Sequence, residues 1–85
     1  MSTDRAKDMA QANTEGVPGL LSVWRHYKGG IYTVIATPLK EDTLERLVVY
    51  HSNQKGTTWA RTLQDFRSKV VVDGGLRPRF ERVPD

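Results

Sequence analysis

The chain has no cysteine among its 85 residues, which excludes both a disulfide framework and a thiolate metal site. Whatever core it forms must hold by packing alone. It also lacks any run approaching the roughly 18 apolar residues that a membrane helix needs, and residues 1–16 lack the apolar stretch of a signal peptide. A cytoplasmic protein with no membrane partner is the expectation. Length is scarce too, because a domain of this size buries only about 60% of its unfolded surface, so a second core is excluded. Histidine is limited to two residues, His26 and His51. Without cysteine, and without metal-ligand spacing around those two, no metal and no other cofactor is expected. Neither Gly29-Gly30 nor Gly74-Gly75 sits between a strand and a long helix, so both pairs read as turn glycines and not as phosphate-cradling loops.

Basic residues exceed acidic ones by 13 to 10, which tilts partners toward anions. The excess is uneven along the chain. Residues 1–19 carry two basic and three acidic groups, and residues 20–85 carry eleven and seven, so the second part is near +4. Residues 1–19 are also small and polar, with Val17 the single branched aliphatic and Gly16, Pro18 and Gly19 at the end. This composition predicts a disordered N-terminal tail before one domain over residues 20–85.

The remainder reads as short strands separated by turns. Residues 22–28, with Val23, Trp24 and Tyr27, suit a strand. Gly29-Gly30 supplies the positive φ values of a two-residue type I′ turn, so residues 31–37 should return antiparallel. Pro38 ends that strand. Residues 44–50 form a third strand, too continuously apolar at Leu47, Val48 and Val49 for one wet face and therefore central. Polar residues 51–58 make the longest internal loop before a short strand at Trp59-Ala60-Arg61. Thr62 and Asp65 have the spacing of a weak capping box, predicting one helical turn through Phe66 with Leu63 and Phe66 inward. Residues 69–72 and 77–83 make a last hairpin around residues 73–75. The whole is mainly β, and its expected architecture is a small SH3-like barrel of five to six antiparallel strands with one short helical turn, with an α+β sheet as the competing architecture. A closed sheet would use both alternating apolar sets of the second strand, Tyr32, Val34 and Ala36 on one side and Ile31 and Ile35 on the other.

The densest chemistry lies in residues 24–32. Alternation places Trp24, His26 and Lys28 on one face and Arg25 and Tyr27 on the other. A second concentration is Arg61, Arg77, Arg79 and Arg82, with the two guanidiniums of Arg77-Pro78-Arg79-Phe80 on one strand face and Phe80 opposite. Such a pair suits phosphates or a carboxylate. His51 and Ser52 do not make a nucleophile and base, because adjacent strand residues point to opposite faces.

Taken together, Arg25-His26-Tyr27-Lys28-Gly29-Gly30 followed by Tyr32 and Val34, then Thr43-Leu44-Glu45 with Leu47-Val48-Val49-Tyr50, then Trp59 with Arg61, then Pro78-Arg79-Phe80, resemble the small bacterial and phage domain of unknown function 1653. The chain departs from that family's pattern at Lys40-Glu41-Asp42-Thr43, at residues 51–55, at Thr62 and at Asp65. The resemblance implies a compact β-barrel-like fold and a shared surface of His26, Lys28, Tyr32, Glu45, Tyr50, Trp59 and Arg61, and no established activity. The functional expectation is a non-catalytic binding module for an anionic or nucleotide-like ligand or nucleic acid. In it Tyr32, Tyr50 and Trp59 offer stacking surfaces while Lys28, Arg61 and Arg79 supply charge. The alternative is a protein-interaction adaptor docking on a larger partner protein. A small hydrolase or transferase using His26 or His51 with Glu45 ranks last, since so short a chain has little depth for a desolvated site.

Overall fold

A computed structural model describes residues 16–84. Seven strands and one helical turn follow in order: β1 (Val23–His26), β2 (Ile31–Ala36), β3 (Leu47–Ser52), β4 (Thr58–Thr62), α1 (Leu63–Phe66), β5 (Lys69–Val72), β6 (Gly75–Pro78) and β7 (Phe80–Arg82). Five of them pair in the order β4-β3-β2-β1-β7, and β5 and β6 form a separate two-stranded sheet. All pairings are antiparallel. The mainly β class stands, but the expected barrel does not form. The large sheet has two open edges, β4 and β7, and its turning is done by a bulge in β2 between Val34 and Ala36, which bends a strand without closing the sheet.

One face of that sheet carries the core. Val34, Val48, Tyr50 and Phe80 are buried on it together with Phe66 from α1, while Ile35 on the opposite face is exposed. Tyr32 and Val34 are thus the inward set of β2, and a single open sheet has no second core for Ile31 and Ile35. Aromatic rings fill most of the space. Phe66 stacks on Phe80 with centroids 4.2 Å apart, and Trp24 meets Phe66 edge-on at 5.2 Å, both favourable ring arrangements.

Local chemistry explains the framework. β3 lies between β2 and β4, which is why its run of apolar residues is nearly continuous. The helical turn is capped as its spacing foretold: the Thr62 hydroxyl accepts the Asp65 N–H, an arrangement worth about 1 kcal/mol. The β5–β6 hairpin turns through Asp73 and Gly74, whose φ values of 51° and 79° are those of a type I′ turn. Three boundaries differ from expectation. The β1–β2 connection is a three-residue turn, in which the Gly29 N–H bonds to the His26 carbonyl and the His26 N–H to the Gly30 carbonyl. Only Gly29 of that glycine pair has positive φ, at 104°. A Cβ at Gly30 would come within 2.9 Å of the Tyr32 ring, which would have to shift. The last segment divides at Arg79: residues before it pair with β5 and those after it with β1. Finally, packed chain begins before Leu20, because Pro18 is buried and the Gly16 carbonyl accepts a hydrogen bond from Arg67. The rest of the expected tail, residues 1–15, lies outside the described residues.

Candidate functional site

The core face does not end in solvent abruptly. Toward the end of the sheet that carries the glycine turn it opens into a cleft of about 240 Å³ lined by His26, Tyr32, Tyr50, Trp59, Arg61 and Phe80. Register explains the gathering. Tyr50 on β3 stands opposite Trp59 on β4 and beside Val34 on β2, while His26 on β1 stands opposite Phe80 on β7. Residues from five strands therefore reach one hollow because they share the side-chain parity of the buried core.

The rings form its floor and walls. Tyr50 meets Tyr32 and Phe80 edge-on, both at 5.2 Å, and His26 packs edge-on against Phe80 at 4.9 Å. Tyr50 and Phe80 are buried, but Trp59 on edge strand β4 remains 55% exposed. Its indole N–H is tied to the Thr57 hydroxyl at 3.2 Å, which orients the ring.

Arg61 is the cation of this cleft. Its Nε donates to the Tyr50 hydroxyl at 3.0 Å, and its Nη1 donates to Asp65, one helical turn further along the chain. Burial opposes the charge on Arg61, but the Asp65 and Tyr50 hydrogen bonds outweigh it and leave the guanidinium more firmly protonated than usual. Burial pushes the Tyr50 hydroxyl up, against the opposing pull of Arg61. The expected Arg61 and Tyr50 are thus a hydrogen-bonded unit. Asp65 and Phe80 were not singled out as site residues. The four-residue spacing of Arg61 and Asp65 was a usable signal, whereas Phe80 joins only through the long-range β1–β7 pairing.

His26 is held below its ordinary range, first by burial and then by the charges of Arg61, Arg79 and Lys28. Its Nδ1 accepts the Lys28 backbone N–H at 3.2 Å, and Tyr27 and Tyr32 complete its surroundings. A histidine held neutral in the fold binds fewer protons than it does in the unfolded chain. Its stabilising contribution is therefore complete above about pH 6.5 and is lost as pH falls toward the folded value. An NMR titration should place the His26 midpoint below 6.5, and Arg61→Gln should raise it; a midpoint at or above 6.5 would contradict this electrostatic picture.

The other expected residues lie elsewhere. Lys28 is exposed in the β1–β2 turn, not on the face of Trp24 and His26, and its ammonium rests 5.7 Å from the Tyr27 ring centroid. Glu45 sits in the β2–β3 connection at the opposite end of β2 from the glycine turn, bonded to the Thr43 hydroxyl, so it does not line the cleft. Arg79 joins the two sheets: its Nε donates to the Ser68 hydroxyl at 3.0 Å and its carbonyl accepts the Tyr27 N–H. Its charge reaches His26 without lining the cleft. Arg79 falls between β6 and β7 and so shares no strand with Arg77, which lines a second hollow with Arg25, His26, Tyr27 and Glu81. His51 lies within β3, not in a loop, with its Nδ1 2.8 Å from the Thr58 hydroxyl, on the side of the sheet away from His26. Among the described residues no three His, Asp or Glu side chains gather as metal ligands, and no helix is long and apolar enough to cross a membrane.

The family model for DUF1653, a protein family of unknown function, matches residues 22–82. The chain belongs to that family. A solved structure of a DUF1653 protein from Bordetella bronchiseptica is similar to it at 29% identity, with a TM-score of 0.67, over 76% of this chain and 87% of the other. The match with the DUF1653 model spans every strand and the whole cleft, and it stops short of residues 1–21. No curated protein is similar enough to register as a match.

Proposed function

We propose that this DUF1653 domain is a non-catalytic binding module whose cleft takes a flat, anionic, nucleotide-like ligand, free or as part of a nucleic acid. The observation that carries this reading is the half-exposed indole of Trp59 beside Arg61 and His26 at the mouth of an aromatic hollow. An exposed aromatic ring on an edge strand has lost hydrophobic stabilisation that a core position would give, and stacking against a base recovers about 1–3 kcal/mol. The field favours anions as well. Arg61, Arg79 and Lys28 all bear on His26, and among the described residues no carboxylate lines the cleft.

Titration with single-stranded RNA, single-stranded DNA and nucleotides at two ionic strengths tests the reading. Binding should weaken steeply as salt rises, because phosphate contacts release counterions. Absence of binding to all of them at low salt would refute it.

A second reading, an adaptor docking on a larger protein, is favoured by Val71 and Leu76. They are cross-strand partners on the β5–β6 hairpin and are 72% and 69% exposed. A stoichiometric partner bound by the wild type and lost with Val71→Glu or Leu76→Glu, without loss of fold, would support it over the first.

A further inference from the structure

The hydrogen-bonding groups of the cleft differ in what they have left to offer. Arg61 uses Nε on Tyr50 and Nη1 on Asp65, so the guanidinium is gripped from two sides while Nη2 has no partner among the described residues. The Tyr50 oxygen accepts from Arg61, which leaves the hydroxyl proton to donate elsewhere. His26 is settled by its own turn. With Nδ1 accepting the Lys28 N–H, the neutral ring must carry its proton on Nε2, and Nε2 has no partner among the described residues. In this tautomer His26 offers an N–H and no free lone pair, so it suits neither the general-base role nor metal ligation.

Three donors from β1, β3 and β4 therefore border a hollow that is otherwise aromatic, with no carboxylate among its lining residues. The Asp65 charge offsets Arg61 from the far side, and Arg79 and Lys28 keep the surroundings of His26 positive. Three such donors on one sheet face can share the several acceptor oxygens that a phosphate presents around one centre. We infer that the cleft seats one phosphate group of a nucleotide, held by Arg61 Nη2, the His26 Nε2–H and the Tyr50 hydroxyl, with the attached base stacked on Trp59. This deepens the reading above and rests on it.

The two claims separate by experiment. Titration of the full chain with AMP, adenosine and inorganic phosphate, followed by NMR, should show AMP binding at least about 10-fold more tightly than adenosine, the range expected for charge-assisted hydrogen bonds. The Arg61 side-chain signal should move with AMP and, at higher concentration, with inorganic phosphate. Equal affinity for AMP and adenosine would overturn the phosphate seat while leaving an aromatic-ligand site in place; no binding of AMP or of any RNA or DNA would overturn both. RNA trinucleotides with and without a 5′-phosphate tell a terminal phosphate from an internal diester. Tighter binding of the phosphorylated form assigns the terminal group, equal binding above that of adenosine assigns the diester, and either supports the seat.

Arg61→Lys should lose the preference for AMP over adenosine, since an ammonium cannot keep Tyr50, Asp65 and a phosphate together. His26→Gln, which keeps an amide N–H at the reach of Nε2, should bind AMP more tightly than His26→Phe, which keeps only the ring contact with Phe80. Thermal melts of all three variants establish that they fold. Wild-type preference in Arg61→Lys, or equal affinity of the two His26 variants, would contradict the proposal.

Discussion

Phe66→Ala should remove a large share of the domain's stability. Phe66 is 1% exposed, stacks on Phe80 and meets Trp24 edge-on, and belongs to a core of only five buried hydrophobic residues among those described. Truncating a buried phenylalanine costs about 3–5 kcal/mol through lost transfer energy and the cavity left behind. A domain of this size has a total stability of about 4–10 kcal/mol. The site suffers with the core, because Phe80 is at once the stacking partner of Phe66 and a wall of the cleft. Urea denaturation checks the expectation: the midpoint should fall sharply, and a loss under about 1 kcal/mol would mean that Phe66 is not central to the core.

Trp59→Ala should do the reverse, leaving the fold intact and removing most of the affinity for a base-bearing ligand. The indole is 55% exposed on edge strand β4, and its hydrogen bond to Thr57 is itself exposed. Substitution there should move stability by less than about 1 kcal/mol. Loss of one base stack, about 1–3 kcal/mol, corresponds to roughly 5- to 150-fold weaker binding. Isothermal titration with AMP and a thermal melt on the same sample measure both. Unchanged affinity would remove Trp59 from the site, and a collapse in melting temperature would make it a structural residue after all.

These two aromatic residues also show where sequence reasoning succeeded and where it stopped. Phe66 was legible as inward because the capping pair of Thr62 and Asp65 fixes one helical turn, and one turn fixes which side chains share its inner side. The apolar continuity of β3 likewise placed it inside the sheet. The gathering of His26, Tyr32, Tyr50, Trp59 and Arg61 was what the family resemblance implied, and strand alternation by itself did not single it out.

Barrel closure was not legible, since an alternating pattern with two apolar sets is compatible with an open bent sheet and with a closed one. Whether β4 meets β7 is decided by long-range pairing that leaves no local mark. Glu45 failed for a related reason. Its place beside Leu44 suggested the third strand, but Leu44 adopts a positive φ of 61° and the strand begins only at Leu47, so Glu45 stays in the connection. Lys28 and Arg79 are separated from the cleft by turn geometry: Lys28 occupies the three-residue turn, and Arg79 spans the junction between the two sheets.

The central claim is that the aromatic and cationic side chains brought together by β1, β2, β3, β4 and β7 form a ligand site and are not merely the frayed margin of the core. Chemical-shift mapping on the isotopically labelled chain during addition of AMP at low salt tests it most directly. Saturable changes should concentrate on His26, Tyr32, Trp59 and Arg61. Changes centred on the hollow of Arg25 and Arg77, or no saturable change anywhere, would contradict the account.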